Sequence, residues 1–260
     1  MKNLHYLLIV LLMGLLSFSC ASDRGQALDE AVDADADAIT GQAVIIGTPV
    51  TDADGNTYHT VIIGKQEWMA VNLKTTKYSN GEPIDYPGDN IAAWQENTQG
   101  AFAWYDNDES NGDLYGALYN WYAVTNPNGL CPGGWRMPDQ EDWQYLTEYV
   151  GDQMGNKLKS RRQVGSPLGG EYDTMEHPRW ETFSVNYGTD QYGFGALPAG
   201  NRHASGTYVT KGANALFWSS SEVSEEAGFG WYMYHGYYGV DRGYGDKRAG
   251  FSVRCIRAEN

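Results

Sequence analysis

The placement of three cysteines constrains this chain more than any other feature of its sequence. Cys20 ends an N-terminal apolar run, whereas Cys131 and Cys255 each lie in a segment rich in glycine and aromatic residues. If the protein is exported and Cys20 carries a lipid, the other two cysteines remain as an even pair. An even pair in an oxidising compartment predicts a disulfide between Cys131 and Cys255. Such a bridge would close a long loop and stabilise the fold by about 5 kcal/mol.

Residues 1–20 predict export. Lys2 precedes an apolar run, and small residues lead to Cys20. The run is too short to span a bilayer comfortably and is typical of a secretory signal. It resembles a bacterial lipoprotein signal, with Leu16 one place earlier than the leucine of the usual motif, and it predicts lipidation at Cys20. An ordinary cleaved signal and an uncleaved anchor are the alternatives.

Residues 21–50 predict a flexible acidic linker. Asp, Glu and Ala dominate residues 21–38, and aromatic residues are absent there, so the segment cannot bury enough apolar surface to offset the entropy of ordering. Its acidity also resembles the export tags of Bacteroidetes surface lipoproteins, with a solvated linker as the alternative. We therefore expect a signal over 1–20, a linker over 21–50 and a folded domain over 51–260. The expected location is the outer membrane, at the cell surface.

Charge and composition narrow the range of partners. The chain has 33 acidic and 18 basic residues, and a formal charge of -15. Such a surface repels the phosphates of nucleic acids and anionic lipid headgroups, so no nucleic acid partner is expected. With 19 tyrosines, 9 tryptophans and 32 glycines, the composition indicates a loop-rich domain in which amphipathic rings bury an apolar face.

Strand patterns lie at both ends of the expected domain. A β-branched run over 58–64 and a second run over 66–73 predict a hairpin that bends at Gly64 and Lys65. From residue 180 onward, short apolar runs alternate with glycine-rich turns. The strands predicted there are 180–186, 194–197, 215–219, 231–238 and 251–256.

Two helices are predicted between these strands. Apolar residues at spacings of three and four predict a helix over 114–124. A second helix is predicted to begin after Asp139 as N-cap and to end at Val150, before Gly151. Two short helices and an antiparallel sheet of short strands, joined by long glycine-rich loops, define an α+β fold class.

Seven ordered motifs carry a resemblance to a known family. They lie at residues 54–73, 115–123, 131–143, 158–160, 194–200, 217–222 and 250–255. Together they resemble the Fibrobacter succinogenes major paralogous domain, from about residue 51 to the C-terminus. That family in turn resembles the C-type lectin-like fold, through the segment that begins at Cys131 and the cysteine of the last strand. The resemblance therefore implies a C-type lectin-like fold.

The sequence predicts no catalytic residue. Residues 136–143 are similar to a motif of formylglycine-generating and sulfatase-modifying enzymes, but those enzymes use a cysteine pair that is redox-active or binds copper. Here Cys131 and Cys255 are expected to form the disulfide, so that activity is not implied. The histidines lack metal-binding spacing, and the chain has neither a Gly-x-Ser-x-Gly elbow nor a phosphate-binding loop.

One acid-rich segment, residues 106–113, is a candidate calcium site. It offers the carboxylate and amide oxygens that calcium prefers, and it begins like an EF-hand loop. Its glycine falls one place late, and Ala117 stands where the bidentate glutamate belongs. The alternative is a polar turn before a helix, and no other cofactor is expected. The candidate ligands are Asp106, Asp108, Asn111 and Asp113.

Two further groups are candidates for binding a ligand. The first is an aromatic surface on or near the strand predicted at 231–238, with packing against a neighbouring strand as the alternative. Its members are Tyr234, Tyr237, Tyr238 and Arg242. The second is a predicted loop that combines hydrogen-bond donors with an imidazole, with ordinary solvated loop residues as the alternative. Its members are Asn201, Arg202 and His203.

These observations together predict a surface lipoprotein with a non-catalytic C-type lectin-like module. Its expected ligand is a glycan or a surface protein. A glycan-processing enzyme is one alternative, since the spacing of a carboxylate pair is a property of the fold. A structural, adhesin-like surface subunit is the other.

Overall fold

The computed structural model of the chain describes residues 43–161, 180–181, 183 and 185–258. The predicted signal and residues 21–42 of the predicted linker therefore lie outside the described residues, as does Cys20. Within the part of the chain that is described, no helix has the length and apolar character needed to cross a membrane.

A five-stranded antiparallel sheet joins the two ends of the domain. From one edge to the other, its strands are Ile45–Ile46 (β1), Thr60–Ile63 (β4), Gln66–Met69 (β5), Ile256–Arg257 (β14) and Trp135–Arg136 (β8). Its centre is the predicted hairpin, in which Ile63 pairs with Gln66 and Gly64 adopts a φ of 62° at the bend. β1 lies in the segment predicted as linker, so the folded part begins before residue 51.

A second antiparallel sheet has three strands in the order β11-β12-β13. They are β11 Asn214–Glu222, β12 Ala227–Tyr234 and β13 Asp241–Asp246. Three two-stranded pairs complete the β-structure of the described residues. They are β2 Val50–Thr51 with β3 Thr57–Tyr58, β6 Phe102–Ala103 with β7 Leu118–Tyr119, and β9 Asn201–Arg202 with β10 Tyr208–Val209.

Five α-helices lie within the described residues, where the sequence predicted two. They are α1 Ile91–Glu96, α2 Glu109–Tyr115, α3 Trp121–Val124, α4 Gln140–Val150 and α5 Met154–Leu158, and a 3-10 helix spans Tyr105–Asn107. Short helices beside small antiparallel sheets confirm the α+β fold class. α4 is the predicted second helix: Asp139 and Asp142 form a capping box, and Gly151, with a φ of 68°, caps the C-terminus.

The predicted helix over 114–124 is wrong. α2 ends at Tyr115, Leu118–Tyr119 forms β7, and only Trp121–Val124 returns to helix. The break occurs at Gly116, whose φ is 78° and whose Cα packs so closely on Leu73 that a Cβ would lie 2.9 Å from the Leu73 carbonyl oxygen. Contacts with a distant segment thus override the local apolar spacing.

The predictions for the later strands are confirmed only in part. Segment 215–219 lies within β11, whereas β12 ends at Tyr234 and excludes the rest of 231–238. Segment 194–197 is not a strand and makes a single bridge at Ala196, and in 251–256 only Ile256 lies in a named strand. The prediction for 180–186 falls partly outside the described residues. The glycine-rich β13 was not predicted.

Two large aromatic clusters form most of the core. One surrounds Trp218 and Phe251, whose rings stack 4.1 Å apart; the other surrounds Trp143, which lies 4.8 Å from the ring of Trp68. The predicted disulfide is confirmed, since Cys131 and Cys255 are bonded, with Cα atoms 5.9 Å apart. It ties the segment before β8 to the residue before β14.

Candidate functional site

A cleft of about 480 Å³ lies beside the β4–β5 hairpin. Its lining residues fall within five segments, 57–59, 70–74, 112–116, 160–161 and 190–197. Two of these flank the hairpin, one ends α2, one follows α5 and one is a loop before β9. The tertiary fold, and no single stretch of sequence, therefore assembles the cleft.

The Arg254 side chain forms hydrogen bonds with the segments that make two walls of this cleft. Its side chain is fully buried and donates to the Oδ1 of Asn72 at 2.6 Å and to the carbonyl oxygens of Met69, Phe194 and Gly195 at 3.0, 2.5 and 3.0 Å. Burial lowers the pKa of Arg254 to about 9. Because carbonyl dipoles surround the cation, the segments that carry these acceptors are held in fixed positions.

Three hydrogen bonds fix the orientation of the Asn72 side-chain amide. Besides accepting from Arg254, it donates through Nδ2 to the carbonyl oxygen of Tyr115 at 2.7 Å and to the Oγ of Ser252 at 3.2 Å. These bonds link the end of the hairpin to the end of α2 and to the C-terminal segment. The wall of the cleft at Asn72 is therefore rigid.

Asp190 places a carboxyl group in the cleft. Its backbone has a φ of 45°, a conformation that Asp tolerates better than most residues, and its Oδ1 accepts from the amide of Gly195 at 2.7 Å. Burial raises the pKa of Asp190 to about 6, against the opposing effects of the Gly195 amide and of Arg161 and Arg254. The carboxyl group therefore changes its charge near neutral pH.

Ser160 is a lining residue of the same cleft. The residue is 5% exposed, and its Oγ has no hydrogen-bond partner among the described residues. A buried polar group without a partner costs about 1–3 kcal/mol, which a ligand that bonds to it recovers. The preceding Lys159 is fully buried and donates through Nζ to the carbonyl oxygen of Tyr237 at 2.5 Å.

Lys74 and Asp113 form an ion pair at the rim of the cleft. The Nζ and Oδ1 atoms are 2.7 Å apart, and the two side chains are 32% and 79% exposed. An exposed pair of this kind contributes about 0–1 kcal/mol, so a ligand can rearrange it at little cost.

The predicted calcium ligands have other partners in the structure. Asp108 caps α2 through the Ser110 amide, Asn111 accepts from Lys211 at 3.3 Å, and Asp113 pairs with Lys74. Asp106 lies in the 3-10 helix with a φ of 56°. Across the described residues, no three His, Cys, Asp or Glu side chains are grouped to hold a metal ion. The calcium site stays a prediction that this geometry does not strengthen.

Asn201 and Arg202 are not exposed loop residues, because both are buried in β9. The Arg202 guanidinium lies 4.3 Å from the centre of the Trp94 ring and 5.0 Å from that of Tyr208. It donates to the carbonyl oxygens of Gly206 and Gly88. His203 is exposed, and its Nδ1 lies 2.8 Å from the Oγ of Ser205.

The predicted aromatic surface divides between two elements. Tyr234 ends β12 and is partly buried, whereas Tyr237 and Tyr238 follow that strand and are 37% and 53% exposed, with ring centres 5.1 Å apart. Arg242 lies on β13 opposite Trp231. Its guanidinium is 5.8 Å from the ring centre of Phe229.

Among the described residues that line the cleft, Asp113 is the one that the sequence marked as a site residue. Asn72, Ser160 and Asp190 were missed as site residues because they belong to separate segments with no common spacing. The available signal was indirect: Ser160 falls inside a family motif, and Arg254 precedes a cysteine in another. Neither signal specifies a role in binding.

Fold and cleft together define a disulfide-bonded α+β domain with a cleft beside its first hairpin. A model of the Fibrobacter succinogenes major domain matches residues 61–257. The chain belongs to this family, which confirms the resemblance found in its motifs. No curated protein and no solved structure matches the chain.

Proposed function

We propose that the chain is a cell-surface lipoprotein whose C-type lectin-like domain binds a glycan in the cleft without altering it. One observation carries the binding role: Ser160, whose buried hydroxyl has no partner among the described residues, lines the same cleft as Asn72 and Asp190. A few fixed polar groups in a concave site are typical of small-molecule recognition. Sugar hydroxyl groups both donate and accept, and so match the hydroxyl of Ser160 and the carboxyl of Asp190.

The lipid anchor rests on Cys20 and on the redox chemistry of the other two cysteines. The Cys131–Cys255 bond supports export, because disulfides persist outside the reducing cytosol. The C-type lectin-like fold is supported by the pairing of the C-terminal strand β14 with β5 of the first hairpin and by the cysteine beside that strand.

The binding role is tested with the full-length exported chain on a glycan array, followed by calorimetry with each glycan that is retained. Replacing Ser160→Ala should weaken binding about threefold to tenfold, as expected for one hydrogen bond. Ser224→Ala is the matched control, because Ser224 is exposed and does not line the cleft. Equal affinities for the two variants would remove the cleft from the proposal.

Lipidation is tested separately. Cells that express the chain and are treated with globomycin, which blocks the lipoprotein signal peptidase, should accumulate the unprocessed precursor. Mass spectrometry distinguishes the precursor from the processed form, and Cys20→Ser should remain uncleaved, without a lipid, in the absence of the inhibitor. Normal processing in both cases would contradict a lipid anchor at Cys20.

A glycan-processing enzyme is the second candidate, because of Asp190. A carboxyl group whose pKa is raised to about 6 is protonated often enough near neutral pH to act as a general acid. Bound oligosaccharides should then yield new reducing ends, and Asp190→Asn should abolish their release while binding persists. Intact oligosaccharide after prolonged incubation would favour the binding module.

A further inference from the structure

A second cleft, of about 440 Å³, borders the first. Both clefts are lined by Lys74, Gly112 and Asp113, so the Lys74–Asp113 ion pair lies where the two meet. The second cleft adds the ring of Trp104 and several hydrogen-bonding side chains. These are Asp54, Asn56, Thr76, Glu109 and Ser110.

Hydrogen bonds to Asp54 fix one wall of the second cleft. The Oδ2 of Asp54 accepts from the Thr76 amide at 2.5 Å and from the hydroxyl groups of Thr76 and Thr75 at 3.0 and 3.1 Å. Lys77 lies 3.1 Å from its other carboxylate oxygen. Burial raises the pKa of Asp54, but these bonds outweigh it and keep that pKa below its ordinary value. The carboxylate is thus charged and positioned to accept further hydrogen bonds.

Gly112, one of the three residues that line both clefts, has no room for a side chain. Gly112 packs against the Trp104 ring so closely that a Cβ would lie 2.5 Å from it. The other two shared lining residues, Lys74 and Asp113, form the ion pair described above. Rearranging this pair costs little free energy. A ligand that contacts both clefts would therefore displace this ion pair at little cost.

We propose that the two clefts form one groove that binds an extended, neutral polysaccharide chain across several sugar units. This inference rests on the proposed function and specifies its ligand class. Each cleft falls in the range of about 300–1,000 Å³ that holds a small ligand. Two adjoining clefts that share three lining residues fit a ligand that repeats along one direction. Ser160 lines the first cleft, and its hydroxyl has no partner within the described part of the chain, which favours a ligand that forms hydrogen bonds.

The charges of the second cleft select against acidic polysaccharides. Asp54, Glu109 and Asp113 line the second cleft and Lys74 is its one lining cation among the described residues, in a chain whose formal charge is -15. A ligand that carries carboxylate or sulfate groups would face this negative field. Neutral sugars would instead donate hydroxyl hydrogens to the carboxylates.

The test measures affinity against ligand length. Neutral β-1,4-linked glucose, xylose and mannose oligomers of one to six units are titrated into the full-length chain by calorimetry. For the series that binds, affinity should rise with length until both clefts are filled, by about tenfold or more between the shortest binder and the hexamer. Galacturonate oligomers of equal length should bind more weakly.

Glu109→Gln tests the second cleft alone, because Glu109 is exposed and lines that cleft but not the first. It should weaken hexamer binding about threefold or more and leave the shortest binder unchanged. Glu141→Gln is the matched control, being an exposed glutamate in the first turn of another helix, α4. Ser160→Ala should weaken short and long oligomers alike.

Two outcomes would overturn the inference at different levels. If short oligomers bind as tightly as the hexamer, or if Glu109→Gln has no effect on the hexamer, the groove is wrong while binding in the first cleft stands. If no neutral oligomer binds at any length, both the groove and the proposed glycan binding are wrong.

Discussion

Arg254 donates a 2.6 Å hydrogen bond from Nε to the Oδ1 of Asn72, which lies 182 positions earlier in the chain. Neither residue is exposed to solvent beyond 4%. This bond joins the C-terminal segment to the end of the first hairpin and lies directly behind the cleft. The site and the closure of the fold thus depend on the same buried cation.

Arg254→Met should therefore destabilise the protein severely. The change leaves the Asn72 amide oxygen and the carbonyl oxygens of Met69, Phe194 and Gly195 without these donors, and the expected loss of unfolding free energy is at least about 3 kcal/mol. Urea denaturation measures it. Arg248→Met should cost less than about 1 kcal/mol, since that guanidinium is 47% exposed and pairs on the surface with Asp246. Similar losses in both variants would contradict the role of Arg254.

The disulfide should behave as one interaction between its two partners. Cys131→Ser and Cys255→Ser should each lower the unfolding free energy by the same amount, about 2–5 kcal/mol, because each removes the same constraint on the unfolded chain. The double variant should be no less stable than either single variant. Thermal and urea unfolding of the three variants measure this, and additive losses would show that each cysteine acts independently.

The parts of the fold that were predicted correctly are those with strong local signals. The hairpin has β-branched residues on β4 and a glycine at the bend, and α4 has the Asp139 capping box. These signals act within a few residues, so the distant chain does not change their outcome. The disulfide was also predictable, because it depends on cysteine count and compartment.

The candidate site was largely hidden from the sequence for the opposite reason. Asn72, Ser160 and Asp190 lie on separate segments, and Arg254 holds two of these segments in place through carbonyl groups that are distant from it in the chain. No regular spacing along the chain indicates that these three residues line one cleft. The predicted ligand residues Asn201 and Arg202 looked like a polar loop, but both are buried in β9. Arg202 packs on the ring of Tyr208 in the adjacent strand and on the ring of Trp94, which is remote in sequence.

Gly116→Ala tests why the predicted helix over 114–124 is interrupted. The φ of 78° is unfavourable for alanine, and the added Cβ would lie 2.6 Å from the Cβ of Asn72 and 2.9 Å from the carbonyl oxygen of Leu73. We expect a loss of about 2–4 kcal/mol in unfolding free energy. Gly133→Ala is the control, because a Cβ there meets nothing within 4 Å; it should change stability by less than about 1 kcal/mol. Equal effects would show that Gly116 is not required for the break.

Asp190 should make stability depend on pH in the acidic range. Its pKa is raised from 3.8 to about 6 in the folded protein, chiefly by burial, so the folded state binds the proton more tightly than the unfolded chain. The contribution of this group to the unfolding free energy is therefore greatest below pH 3.8, falls as the pH rises toward about 6 and is constant above that range.

Asp190→Asn removes this titration while keeping the side-chain oxygen that accepts from the Gly195 amide, and asparagine also tolerates the positive φ of this position. The difference in unfolding free energy, wild type minus variant, should fall between pH 4 and pH 6 and then level off. Urea denaturation at each pH measures it, with Asp152→Asn as the control, because Asp152 is exposed in the turn after α4. A difference that is flat across this range would mean that Asp190 is not held in a desolvating environment, and its candidacy as a general acid in the cleft would fall with it.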